Sequence, residues 1–311
     1  MNTQSPVLSV VERLKHRAKL YQTVRDFFSQ RKVLEVETPI FSPFANTDPF
    51  IQSLSSDFNS KQMYAHTSPE FAMKRLLCEG SGDIYQICKV FRVEELGRLH
   101  RPEFSMLEWY RLSKDYRQLA DEVVELLLLA GIKGQAKYFT YQQLFQQFLN
   151  IDVLDTSAAA LRDKALSKGL RDCPLGNDTN AWLSYLLTHI IEPELKSFPI
   201  VIIYEYPAEQ AALAEISKED ARVALRFEVY SYGIELANGY QELTEPEVYL
   251  QRFEAENVER QNRNLPIMPI DKDLINSLSA GFPRCSGVAL GLDRLLMLSL
   301  GKFDLSELEA L

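Results

Sequence analysis

Phe91-Arg92-Val93-Glu94, followed by His100-Arg101-Pro102-Glu103-Phe104 and Met106-Leu107-Glu108-Trp109-Tyr110, is the stretch whose reading decides the fold. It reads as strand, charged loop, strand. Asp83 to Val90, just before it, is rich in β-branched and aromatic residues. After it, strand alternation puts Phe104, Met106, Glu108 and Tyr110 on one face and Ser105, Leu107 and Trp109 on the other. Gly97 and Pro102 turn the chain back between the two. Arg92 and Glu94 share a face at strand spacing, as do Glu108 and Tyr110. A solvent-facing strand pair carries such charges equally well, so the stretch needs the rest of the chain to give it meaning.

The rest is an ordinary globular sequence of 311 residues, 46% hydrophobic and 25% charged, which predicts one compact domain with an insertion. A formal net charge of -9 argues against a broad basic surface for nonspecific nucleic-acid binding. Cys78, Cys88, Cys173 and Cys285 lack paired spacing, so neither a zinc cluster nor a disulfide framework is expected, and the thiols are read as reduced and mostly buried. No secretory signal and no apolar run of bilayer length is present, which makes the cytoplasm the expected compartment and excludes a membrane partner.

Ser9 and Glu12 form a capping-box pattern that opens a long helix, whose Arg13, Lys15, His16, Arg17 and Lys19 read as a solvated face. Val33 to Pro39 follows as an alternating strand. Met63 to Thr67 is another, and Ser68-Pro69-Glu70 predicts a helix with a serine N-cap and proline at its first position. Lys74 and Arg75 then stand near the helix's negative end. Tyr116 to Ala130 is apolar and helical. About 138–198 is mostly helical, with a Thr140 to Gln143 capping box, and reads as an insertion beside the sheet. Asn238-Gly239 is a hairpin signal. With those two residues at the turn centre, Glu235 lies opposite Glu242, a repulsion of about 4 kcal/mol at about 4 Å and an effective dielectric of about 20; a metal ion or a bound ammonium would relieve it, unless both carboxylates face solvent or the register slips. Finally, Cys285 to Gly291 is a strand with two glycines, and Leu292-Asp293-Arg294 opens an apolar helix.

In this order the pieces resemble the three motifs of the class II aminoacyl-tRNA synthetase catalytic domain, of the lysyl type. The helix and strand ending at Pro39 resemble the first motif, Phe91 to Tyr110 the second, and Gly287-Val288-Ala289-Leu290-Gly291-Leu292-Asp293-Arg294 the third. The resemblance spans nearly the whole chain. It implies an α+β fold, an antiparallel β-sheet flanked by helices, that binds ATP with Mg²⁺ and forms a homodimer through the first motif. It assigns Arg92 to the α-phosphate, Glu94 to the adenine amino group, and Phe104 and Arg294 to the two faces of the adenine. Arg92 and Arg294 are the catalytic pair. Val93, His100, Arg101, Glu235, Leu236 and Gly291 complete the nucleotide site, and Glu228 with Glu235 would hold the metal. Ser68, Pro69, Glu70, Glu108, Tyr110, Asn238, Glu242 and Ala289 form the amino-acid pocket, with Glu242 and Tyr110 on the substrate's side-chain ammonium.

The first-motif helix begins near Met1, which predicts a single catalytic domain over residues 1–311 with no anticodon-binding domain. That form resembles a truncated branch of the family, which activates (R)-β-lysine and passes it to a lysine of elongation factor P. Ala289, where the tRNA-charging enzymes commonly have glycine, points the same way, and tRNA is not expected as a partner. Arg101 replaces a usual asparagine, and the chain stops at Leu311 short of a usual Phe-containing tail. Two other readings use the same motifs: a minimal paralogue activating α-lysine for tRNA or another acceptor, and a noncatalytic ATP- and amino-acid-binding regulator. Glycine at 289 with an added basic module would mark the first. The charged set from Arg92 to Arg294 weighs against the second.

Overall fold

The computed structural model describes residues 8–93, 96–171 and 173–308. They form two compact units: Met1–Lys114 with Glu125–Ile132 and Thr244–Leu311, and Asp115–Val124 with Lys133–Leu243.

In the first unit the strands Leu34–Glu35, Ile84–Phe91, Glu103–Arg111 and Ser286–Gly291 lie side by side in that order. The outermost pair is parallel and the others antiparallel. Register sets the two faces as the alternation predicts: Tyr85 pairs with Trp109, and Gln86 with Glu108. The helix Val10–Gln30 supplies the aromatic side of the core. Phe28 stacks on Tyr85 at 4.3 Å and meets Trp109 edge-on at 5.4 Å. The Ser9 and Glu12 capping box forms as the sequence specifies, satisfying backbone N–H groups that a helix start leaves unpaired. Arg17 departs from the solvated face expected of it. It pairs at 2.5 Å with Asp293, whose other oxygen accepts the backbone N–H of Ser105 at 2.7 Å. That carboxylate ties the long helix and the Leu292–Ser299 helix to the strand that carries Phe104 and Glu108.

The second unit has the strands Ile234–Gln241, Val223–Ser231, Ile200–Pro207 and Ala136–Thr140, again with one parallel pair, at its end. The helices Tyr141–Leu149, Ala158–Ser167 and Thr179–Leu186 gather a buried cluster that includes Phe145, Trp182, Val201 and Ile203. Within the helical stretch read from about 138, residues 138–140 belong instead to a strand.

Asn238-Gly239 is not the hairpin turn. Both residues lie inside the Ile234–Gln241 strand, and the chain reverses at Tyr232 and Gly233, with φ of 50° and 75°. Two successive positive φ values make the tight turn that matches strand twist. A side chain at Gly233 would also meet the Glu192 carbonyl at 2.6 Å. Glu235 therefore faces Tyr230, while Glu242 bridges to Ala214, so the expected repulsion between these carboxylates as a cross-strand pair does not arise. The thiols also differ from expectation: Cys285 is buried, but Cys78, Cys88 and Cys173 are half-buried. Among the described residues, no helix is long and apolar enough to cross a membrane.

Candidate active site

The first unit gathers two neighbourhoods. In one, Arg92 is held at both ends. Its N–H donates to the Pro102 carbonyl at 2.9 Å, its Nε donates to the Thr67 carbonyl at 3.3 Å, and its guanidinium lies 5.2 Å from the Phe104 ring. Val93 is exposed and donates its N–H to the Gln52 carbonyl at 2.9 Å. Gln52 is itself anchored by the fully buried Arg260, whose guanidinium donates to Gln52 Oε1, the Asp48 carbonyl and the Pro266 carbonyl. Arg294 and His100 meet at 2.8 Å, and Arg294 Nε donates to the Leu99 carbonyl. Arg101 turns back on its own loop, donating to the carbonyls of Gly97 and His100. With Phe104, Arg13, Arg17 and Lys89 it lines a cavity of about 180 Å³. Glu94 lies outside the described residues.

The other neighbourhood is built on small residues facing large ones. Gly287, Ala289 and Gly291 pair with Tyr110, Glu108 and Met106, so alternation puts all six on one face, three small residues beside three large ones. Glu108 is buried and accepts from the hydroxyls of Ser68 at 2.6 Å and Tyr110 at 2.7 Å. Burial, then the nearby Glu70, outweigh those hydroxyls and push its carboxyl up to about 8. Ser68 is not the N-cap that was expected. The helix starts at Glu70 with Pro69 as its cap, and Ser68 Oγ instead accepts the Glu70 N–H at 3.1 Å while donating to Glu108. Lys74 lies in the middle of the Glu70–Cys78 helix rather than near its negative end, and only Arg75 is basic in the last turn. Lys74 is fully buried, and its Nζ donates to Glu70 Oε1 at 2.6 Å and to Tyr249 Oη at 2.9 Å. Its i,i+4 spacing from Glu70 was the available signal.

A pH dependence follows from Glu108. A carboxyl raised in the folded state binds its proton more tightly there than in the unfolded chain, so its contribution to stability is complete below its ordinary range and is lost as pH rises towards about 8. Glu108→Gln removes that titration. Between about pH 6 and about pH 9 the wild type should lose more stability than the variant, read from urea midpoints. Glu256, also raised by burial to about 7, contributes equally to both proteins and cancels in the difference.

In the second unit, a shift in register between Glu235 and Ala237 brings the polar residues together. Glu235 faces Tyr230, and Asn238 faces Glu228. Residues three apart on a regular strand point to opposite faces; the bulge turns Glu235 and Asn238 to the same one. Glu228 is 7% exposed and accepts from Arg226 and from the Tyr230 hydroxyl, the latter at 2.7 Å. Leu236 and Glu242 are buried. No group of three or more His, Cys, Asp or Glu residues able to hold a metal occurs among the described residues. Glu228 and Glu235 share one face of this strand pair, and two carboxylates are a number that Mg²⁺ accepts when phosphate oxygens and water complete its shell.

A profile described as tRNA synthetases class II (D, K and N) matches residues 7–310. The chain belongs to this class II synthetase family. Within the family it is similar to a named group of ligases. It is 45% identical over 300 residues to the elongation factor P (R)-beta-lysine ligase of Mannheimia succiniciproducens, covering 94% of this chain and 93% of that protein. It is 46% identical over 307 residues to the ligase of that name from Vibrio vulnificus, covering 96% and 95%. For the one from Pectobacterium carotovorum subsp. carotovorum the identity is 46% over 312 residues, covering 98% and 96%. The family resemblance read from the three motifs is therefore borne out. Arg226, Lys74, Tyr249 and the Arg260 anchor carry no motif, because at least one partner of each lies far away in sequence or across a strand pair.

Proposed function

We propose that the chain is an ATP-dependent amino-acid ligase that activates (R)-β-lysine and transfers it to a lysine side chain of elongation factor P. The observation that carries this is the likeness, over nearly the full length of both chains, to ligases named for that reaction. In the first step a substrate carboxylate oxygen attacks the α-phosphorus of ATP, the bond to the β-phosphate breaks, and pyrophosphate leaves. In the second, the acceptor's ε-amine attacks the acyl carbon, AMP leaves, and the amine gives up a proton.

Neither step needs a protein nucleophile, so the residues bind and stabilise charge. Arg92 is assigned to the α-phosphate, Phe104 and Arg294 to the adenine faces, and His100 and Arg101 to the outer phosphates. Val93, Glu94, Leu236 and Gly291 complete the nucleotide's surroundings. Ser68, Pro69, Glu70, Glu108, Tyr110, Asn238, Glu242 and Ala289 take the amino acid, Tyr110 and Glu242 its distal ammonium. Glu228 and Glu235 would hold Mg²⁺, which when bound neutralises phosphate charge. The assembly is a homodimer joined through the first-motif helix and strand. Purified protein given ATP, Mg²⁺ and (R)-β-lysine should add one β-lysyl group to elongation factor P and none to tRNA, by intact mass. Labelling of tRNA alone would sink the acceptor assignment.

A further inference from the structure

Arg226 has no role in the assignments above, yet its guanidinium joins two residues that do. Its Nε donates to Asn238 Oδ1 at 3.2 Å, its Nη1 to the Gln210 carbonyl at 2.7 Å, and its Nη2 to Glu228 Oε1 at 2.5 Å. The Tyr206 ring lies 4.6 Å from the guanidinium on one side. A guanidinium only donates, so the atom of Asn238 that faces it is the carbonyl oxygen. The planar amide must then present its NH₂ group away from Arg226, and Asn238 is half-buried, on the face shared with Glu228 and Glu235. An NH₂ group offers hydrogen bonds to a carboxylate and none to an ammonium.

We propose that Arg226 is a positioning residue that turns Asn238 into a hydrogen-bond donor for the substrate's carboxylate. The same guanidinium fixes Glu228 from one side while the Tyr230 hydroxyl fixes it from the other, the kind of outer support that orients a ligating carboxylate. This inference rests on the placement of Asn238 in the amino-acid pocket under the proposed function.

Two variants and two ligands test it. The ligands are (R)-β-lysine and 1,4-diaminopentane, which has the same two amines without the carboxyl group. Asn238→Asp keeps the bond to Arg226 but replaces the outward donor by an acceptor. It should weaken (R)-β-lysine about 10- to 100-fold by calorimetry and leave the diamine bound as tightly or more tightly. Arg226→Lys, which keeps the charge but loses the fork that holds the amide, should give the same split in smaller measure. A merely structural role would weaken both ligands together. Equal loss of both in Asn238→Asp, or unchanged (R)-β-lysine binding in Arg226→Lys, would overturn the proposal. Wild-type protein that binds neither ligand would overturn the amino-acid pocket itself, and this proposal with it.

Discussion

Arg92→Ala should lower amino-acid-dependent ATP–pyrophosphate exchange by about 100- to 1,000-fold, the loss typical of removing one fixed group that stabilises transition-state charge. The side chain is half-buried and directed by the Thr67 carbonyl and the Phe104 ring, so its orientation is set before substrate arrives. Charge on the phosphates grows as the α-phosphorus is attacked, and a fixed cation helps the transition state more than the ground state. The loss should therefore fall mainly on kcat. Arg92→Lys should recover part of it, because the charge returns without the planar fork. The backbone bonds of residue 92 do not involve its side chain, and thermal unfolding should stay close to wild type. A variant that keeps wild-type exchange would remove Arg92 from the chemistry.

Lys74→Met should cost about 3 kcal/mol of stability. Removing one partner of a buried ion pair leaves the other charge without compensation, and the lower end of the usual range applies because Glu70 keeps 21% of its side chain exposed. Adding Glu70→Leu should restore much of the loss, since a pair of apolar groups replaces a pair of charges at little net cost. Urea unfolding of both single variants and the double variant separates the coupling from the individual losses. Additive losses in the cycle would contradict the pairing. Activity is expected to stay low in the double variant, because Glu70 is assigned to the substrate as well as to Lys74.

Features set by neighbours in sequence were legible. The Ser9 and Glu12 box closes within one helical turn, and the split of Phe104, Met106, Glu108 and Tyr110 from Trp109 needs only strand alternation. Asn238-Gly239 misled for the same reason. Its turn preference is local and weak, and it yields to a register that pairs Asn238 with Glu228 and hands the turn to Tyr232 and Gly233. The bulge beside Glu235 leaves no composition signal, yet it decides which side chains share a face. Helix position alone predicts Lys74 near the negative end of its helix, whereas its burial is set by Glu70 and by Tyr249, far along the chain. Arg260 is likewise defined by distant partners, and Arg226 by Asn238 across the strand pair.

The most direct measurement is exchange of labelled pyrophosphate into ATP by the purified protein, with (R)-β-lysine, (S)-β-lysine and α-lysine offered separately. Exchange that is fastest with (R)-β-lysine and disappears in Arg92→Ala is the predicted result. No exchange with any of the three, or exchange with α-lysine alone, would contradict the assignment.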